Sequence, residues 1–230
     1  MHIALIHSPY QNLEAAVTET NPYGPSIVGN TINSIQTALE ANGHRVSLLE
    51  AGNHLLSILE QMDTPDLLFN MSSGISDKRS QANIIGMLEM TNIPMLGSGL
   101  AANVLGLHKE VTKSLLLRHG IRTARYQLVT DENDELHEDF EYPLIVKPEH
   151  EGSGIGVTDS SKVDSPDQIQ KVIKEKLALH KQVLLVEEYL PGREFTVGVM
   201  GNATLEIMPI KETKFKKNGP QILTTEMKVN

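Results

Sequence analysis

The stretch from Tyr142 to Val157 reads YPLIVKPEHEGSGIGV, and its order of residue types decides how the rest of the chain is read. Leu144-Ile145-Val146 is a short apolar run suited to a buried strand, Lys147 stands at its end, and Pro148 cannot donate a further ladder bond. A glycine-rich turn follows, Gly152-Ser153-Gly154-Ile155-Gly156. Glycine permits positive φ and has no Cβ to hold the backbone away from an anion, so the amides of such a turn can fold over polyphosphate oxygens. A lysine at the strand end supplies the matching charge. Taken alone, the same turn equally fits a plain structural connection.

Residues downstream weigh on that choice. Gln182 to Glu188 is a Val- and Leu-rich strand that runs into Val186-Glu187-Glu188-Tyr189-Leu190, with Glu194 close behind. Backbone through Glu188, Tyr189 and Leu190 can pair with a purine edge, Glu187 can accept from an exocyclic amine, and Glu194 can accept from two ribose hydroxyls. Each carboxylate alone also fits a solvated surface charge, because acidic side chains usually stay exposed. Their order after a phosphate-type loop carries the argument. Upstream, Lys109 and Lys113 lie at i and i+4 on one helical face, within reach of a single anion. For Lys113 a solvated basic face is the expectation.

The N-terminal part of the chain alternates strand and helix. His2 to His7 suits a buried parallel strand, Ser26 then caps a helix to about Asn42 with Ile27, Ile32, Ile35 and Leu39 as its stripe, and Gly43 ends it. Arg45 to Glu50 is a strand, Asn53 to Met62 a helix, Asp66 to Asn70 a strand. Ser80 then caps a helix with Ile84, Ile85 and Leu88 inward, and Pro94 to Leu96 is a short strand. Such alternation implies a parallel sheet covered on both faces, with ligands gathering at the strand ends after His7 and Asn70. No GxGxxG follows the first strand, which argues against a nicotinamide dinucleotide fold. Gly97-Ser98-Gly99 breaks the rhythm and marks a domain boundary. Beyond it lie helices over Leu100 to Leu107 and Lys109 to His119, a strand over Arg125 to Val129 and an acidic surface connection from Asp131 to Glu141. Ser165 to Leu179 is a helix with Pro166 in its first turn. Arg193 to Met200 and Ala203 to Ile210 form a hairpin about a two-residue Gly201-Asn202 turn, and Lys211 to Asn230 is polar and weakly patterned.

Composition excludes several classes. The 230 residues carry a net charge of −9 and 40% hydrophobic residues, an ordinary globular balance. A field of that sign argues against nucleic acid and anionic membrane as partners. With no cysteine there is no disulfide, thiolate metal site or cysteine nucleophile. No apolar run reaches transmembrane length and no signal peptide opens the chain, so a cytoplasmic location is the expectation.

The combined motifs resemble the ATP-grasp superfamily, and within it the D-alanine:D-alanine ligases. The resemblance rests on Leu88-Glu89, Ile93 to Gly99, Lys109 with Thr112-Lys113, Gly120-Ile121, Tyr142 to Pro148, Glu151 to Val157, and Val186 to Leu190 with Gly192-Arg193-Glu194. It implies an α/β protein. Residues 1–97 would form a parallel, doubly wound substrate-side domain, 98–186 the central ATP-grasp lobe, and 187–230 the start of a last lobe left incomplete. It implies ATP held by phosphate contacts from Lys109 and Lys147 under the Gly152, Ser153, Gly154, Ile155, Gly156 lid, with Glu187, Glu188, Tyr189, Leu190 and Glu194 on adenosine. The family passes the γ-phosphoryl group to a carboxylate and an amine attacks the acylphosphate, so the implied partners are ATP, Mg2+ and an amino acid or small peptide. A homodimer through the first domain is also implied. Glu226-Met227-Lys228 matches the family's mobile loop, in which Lys228 would close on the γ-phosphate.

Three departures fall on the substrate side. The loop after the first strand is Ser8 to Glu14, where Glu14 would stand in for the family's substrate-binding glutamate; Ser73-Gly74 replaces a His-Gly pair; and Val229 replaces a tyrosine. A different amino-acid or peptide acceptor is therefore expected. The family's Mg2+ ligands lie on strands beyond the mobile loop, and Asn230 ends the sequence before them, so no metal site is expected here and a shortened chain with weak ATP turnover is. Two functional classes stand: an ATP-dependent carboxylate–amine ligase, and a nucleotide-binding module without catalysis.

Overall fold

A computed structural model describes residues 1–8, 24–72, 81–152, 154–215 and 221–224, with side chains of the first helix from residue 29 onward. The first sheet contains β1 (His2–His7), β2 (Arg45–Glu50), β3 (Leu67–Asn70) and β4 (Met95–Leu96), all parallel in the order β2-β1-β3-β4. Every residue of β1 is buried, which is why HIALIH reads as a run without alternation. The connections are α1 (Gly24–Ala41), α2 (Leu55–Gln61) and α3 (Gln81–Glu89). Ile32 of α1, Leu55 and Leu59 of α2, and Ile84, Ile85 and Leu88 of α3 are buried. From β1 the chain moves to β2 on one side and later to β3 on the other, so right-handed crossovers cover opposite faces. At this reversal Ile6 pairs with Asn70, and the Met71 amide donates to Ile6 O at 2.7 Å. The loops expected to gather ligands therefore leave side by side; residues 9–23 and 73–80, with Glu14, Ser73 and Gly74, lie outside the described residues.

Two helices link the sheets. In α4 (Leu100–Leu107), which packs on α3, the Leu100 amide donates to Glu89 Oε1 at 2.8 Å. His108 ends α4 and begins α5 (Lys109–Arg118), and Gly120 closes that helix region at φ +71°. The second sheet is antiparallel, order β5-β8-β6-β7, from β5 (Tyr126–Val129), β6 (Leu144–Pro148), β7 (Lys162–Val163) and β8 (Leu184–Glu188).

The period-2 alternation of strands sorts this sheet cleanly. Leu144, Val146, Leu184 and Val186, together with Val129 and Val163, face α6 (Pro166–His180) and pack on Ile169 and Ile173. Ile145, Lys147, Leu185 and Glu187 therefore face the other way. The register Ile145↔Glu187 and Lys147↔Leu185 makes Lys147 and Glu187 diagonal neighbours on that opposite face.

Three features of the C-terminal part differ from the sequence reading. The strand expected over Arg193 to Met200 is two pieces, β9 (Glu194–Thr196) and β10 (Val199–Gly201). The polar segment after Ile210 begins with β12 (Lys211–Thr213), which pairs antiparallel with β9. The turn between β10 and β11 (Leu205–Ile207) spans Asn202 to Thr204, because Gly201 pairs with Leu205. Gly201 holds φ +114° and a Cβ there would sit 2.0 Å from Thr204 O, so the glycine serves a three-residue loop rather than a two-residue primed turn.

Burial of Ile173 against this sheet is complete. Ile173→Ala is expected to destabilise the chain by about 2–5 kcal/mol, read as a lower midpoint in urea unfolding. A second expectation concerns Lys176, also buried on α6, whose Nζ donates to Gly156 O at 2.7 Å. Desolvation pulls its pKa down to about 8, opposed by nearby Glu175. An unfolded lysine keeps its proton up to about 10.5, so between these values the unfolded chain holds more protons and stability rises with pH. Stability of the wild type relative to Lys176→Met should therefore increase from pH 8 to 10.5; a flat difference across paired thermal melts would refute it.

Candidate functional site

A cleft of about 380 Å3 opens on the polar face of the second sheet. Its floor includes Ile145, Lys147 and Glu187, its far wall Tyr189, Leu190 and Glu194, and Ile222 and Leu223 close the remaining side. A volume of this size is at the low end of small-molecule pockets.

The floor is organised by charge. Lys147 Nζ donates to Glu187 Oε1 in a close ion pair, and Lys113 Nζ lies 2.8 Å from Glu187 Oε2. Lys113 also donates to Thr123 Oγ1 at 2.8 Å and Ala124 O at 3.1 Å, so its three ammonium protons meet three acceptors. Lys113 is 8% exposed, which corrects the expected solvated face: α5 turns it inward onto the sheet. Burial pushes the Glu187 carboxyl up, but attraction to Lys147 and the hydrogen bonds from both lysines outweigh it, and its pKa falls below the usual range.

Glu188, next along β8, points away from this group. Its Oε1 accepts from Arg125 Nε at 2.8 Å, and from the Glu141 amide at 3.2 Å. The Arg125 hydrogen bond is the main reason its carboxyl titrates low. Its own amide donates to Arg125 O at 3.0 Å, and the Tyr189 amide donates to Pro143 O at 2.9 Å. Two of the three backbone amides expected to read a ligand edge are thus committed to the sheet. Tyr189 lies on the cleft with its hydroxyl donating to Gln221 O at 3.0 Å and the Lys162 ammonium 5.3 Å from its ring centre.

The glycine-rich loop stands beside the cleft, and Val157 alone of Gly152 to Val157 lines it among the described residues. Ile155 N donates to Gly152 O at 3.0 Å and Val157 N to Gly154 O at 2.9 Å, two tight turns in succession. Gly154 and Gly156 both hold positive φ, 80° and 77°. At Gly156 a Cβ would meet Pro148 Cγ at 2.5 Å and His180 Cε1 at 2.8 Å, so packing as well as backbone conformation demands glycine there. Lys109 ties down the loop's near end, with Nζ donating to Glu149 O at 2.8 Å and in a closer contact to Glu151 O. The structure therefore places Lys109 at the base of the loop and Lys147 on the floor of the cleft. Ser153 and Lys228 lie outside the described residues.

The sequence reading missed the ion-paired role of Lys113, the anchoring roles of Arg125 and Lys176, and the closing wall at Ile222 and Leu223. The i, i+4 spacing of Lys109 and Lys113 was the available signal for Lys113. Ile222-Leu223, an apolar pair inside a polar segment, was the signal for the wall.

Comparison with known proteins agrees with this architecture. Residues 115–227 match the family model described as the D-ala D-ala ligase C-terminus. The chain is 31% identical over 214 residues to the uncharacterized protein y4sG of Sinorhizobium fredii, covering 90% of this chain and 62% of that protein. It is 34% identical over 180 residues to the D-alanine--D-alanine ligase of Bartonella henselae, covering 77% of this chain and 57% of that enzyme. With the D-alanine--D-alanine ligase of Methylobacterium radiotolerans it shares 31% identity over 212 residues, covering 87% of this chain and 67% of that enzyme. The chain thus spans roughly three fifths of the length of such relatives. Among solved structures, the D-alanine--D-alanine ligase from Bacillus anthracis complexed with ATP superposes with a TM-score of 0.69 at 19% identity, covering 95% of this chain and 67% of that one, which establishes the ATP-grasp fold. On sequence and fold together, the chain belongs to the D-alanine–D-alanine ligase family.

Proposed function

We propose that this chain carries the nucleotide-binding part of an ATP-dependent carboxylate–amine ligase of the D-alanine:D-alanine ligase kind, with an amino acid or small peptide as acceptor. The observation that carries the reading is the convergence of Lys147, Glu187, Tyr189, Leu190 and Glu194 on one cleft. In this reading the purine lies against Tyr189 and Leu190 with its amine toward Glu187, and the ribose hydroxyls bond Glu194. The Leu190 amide reads the purine edge, since those of Glu188 and Tyr189 are bonded within the sheet. The phosphates reach Lys147, and Lys109 and the loop from Gly152 to Gly156 approach them from the side.

The charge balance suits that role. Two ammonium groups face one carboxylate on the cleft floor, leaving one positive charge in excess. Passing a γ-phosphoryl group to an anionic carboxylate concentrates negative charge on oxygen, and fixed cations in a partly desolvated cleft lower that barrier. The unprotonated amine then attacks the carbonyl carbon of the acylphosphate, forming the C–N bond as the C–O bond to phosphate breaks and inorganic phosphate leaves, and the site's task is to hold that nitrogen against the carbonyl face.

The described residues do not fit Mg2+, which takes a nearly octahedral set of oxygen ligands. Of the cleft carboxylates, Glu187 is held by two ammonium groups and Glu188 by Arg125, so their oxygens are already engaged by cations. The chemistry these residues supply is positioning and neutralisation. The same observation favours a second reading, nucleotide binding without turnover.

Titration of the chain with ATP tests the site: Lys147→Ala should weaken binding at least about tenfold through loss of a charge-assisted contact, and an unchanged affinity would overturn the assignment. Phosphate release across a panel of D- and L-amino acids separates the two readings. Release that depends on an amino acid supports the ligase; ATP binding with no release from any member supports the module.

A further inference from the structure

Away from the cleft, two imidazoles and a buried carboxylate meet at the base of the glycine-rich loop. We propose that His108, Glu149 and His150 form a binding site for a divalent transition metal, Zn2+ being the best match. One donor atom from each lies within 4.8 Å of the other two. His108 Nδ1 is 3.5 Å from Glu149 Oε2, His150 Nδ1 makes a closer contact with the same oxygen, and the two rings meet edge to face with centroids 4.6 Å apart.

Glu149 is the side chain that requires an account. It is 2% exposed, and a carboxylate taken out of water costs several kcal/mol unless matched by opposite charge or hydrogen bonds. Its Oε1 accepts from the Glu110 amide at 3.1 Å at the start of α5, whereas among the described residues Oε2 receives no well-formed hydrogen bond. The amide bond to Oε1 fixes the carboxylate so that Oε2 points between the two imidazoles, the kind of outer support that orients metal ligands. Ligand atoms about 2.0–2.2 Å from a tetrahedral Zn2+ lie about 3.3–3.6 Å from one another; the His108–Glu149 separation meets this, whereas His150 Nδ1 lies closer to Oε2 and its ring must draw back to admit the ion. Two nitrogens and one oxygen favour Zn2+ over the all-oxygen preference of Mg2+. With the His108 side chain 35% exposed, a fourth position is reachable by water.

The ligands come from two elements, His108 from the junction of α4 and α5, and Glu149 and His150 from the residues after β6. Bound metal would cross-link that junction to the loop base where Lys109 already bonds Glu149 O and Glu151 O. Nothing in the sequence spacing announces the site, because His108 is remote in the chain from the Glu149-His150 pair.

The test uses the full chain stripped with a chelator and titrated calorimetrically with Zn2+ alone, without ATP, so its outcome is independent of the nucleotide reading. One Zn2+ per chain is expected, undiminished by excess Mg2+. His108→Ala, His150→Ala and Glu149→Gln should each weaken uptake at least about tenfold, since loss of an outer-shell group alone costs about 10–100-fold. Glu149→Gln retains an oxygen for the Glu110 amide and so guards against misfolding as the cause; circular dichroism checks each variant. His119→Ala, an exposed histidine elsewhere, should bind as the wild type does. Absence of stoichiometric uptake, uptake that persists in the His108→Ala/His150→Ala double variant, or an equal loss in His119→Ala overturns the site.

Discussion

The group on which the second half of the molecule depends is the Lys147–Glu187–Lys113 cluster. A carboxylate on a central strand is costly to desolvate, and one ammonium group at a strand end would offset only part of that cost. Lys113, arriving from α5, completes it. That contact docks a helix from outside the sheet onto β8, so the position of α5 is set by charge as well as by packing. Removing either lysine leaves Glu187 with one cationic partner and fewer hydrogen bonds in a largely buried position, so its desolvation is less well offset. Removing Glu187 leaves two like charges close together on the same floor. The cluster is thus held in place by mutual need, and it gives the cleft lining one excess positive charge.

The register of the sheet makes the cluster possible. Because Ile145 pairs with Glu187, Lys147 sits one diagonal step away on the same face, while Val146 and Val186 drop to the α6 side. A slip of one residue in β6 against β8 would turn Lys147 into the core formed by Ile169 and Ile173 and expose Val146. Burying an unpaired ammonium among those side chains is far more costly than any packing it could gain. The apolar core and the polar floor therefore select the same register, and the placement of Lys147 is a consequence of how the sheet folds.

Much of this was legible in the chain because the decisive signals are local. HIALIH reads as a buried strand, and Ile84, Ile85 and Leu88 are inward by helical spacing; in LIVKP the apolar run is buried and Lys147 alone is partly exposed. The strip from Glu187 to Glu194 announced the wall of the cleft by order alone. What sequence did not give are the contacts set by distance in space. Lys113 looked like a solvated helical residue, since nothing in its own neighbourhood shows that Glu187 lies opposite. The split of the strand after Thr196 and the β9–β12 pairing depend on backbone partners that alternation cannot name. The Asn202 to Thr204 turn was misjudged because a glycine next to an asparagine suits a two-residue turn locally, whereas the pairing of Gly201 with Leu205 fixes its length.

The glycine-rich loop shows how local and tertiary causes combine at one residue type. Gly156 is required by Pro148 and His180, which leave no space for a Cβ, and by positive φ; no ligand needs to be invoked for it. Its carbonyl is held by Lys176, and the N-terminal end of the loop is held by Lys109 through the carbonyls of Glu149 and Glu151. The loop is thus fixed at both ends by ammonium groups. Lys109 is also one of the cations a phosphate group near this loop would attract. An anion drawing Lys109 away from Glu149 O and Glu151 O would release the loop base at the moment the charge arrives. Charge on a single side chain thus serves two carbonyls at once, which is why the position of the loop base depends on Lys109 remaining an ammonium donor.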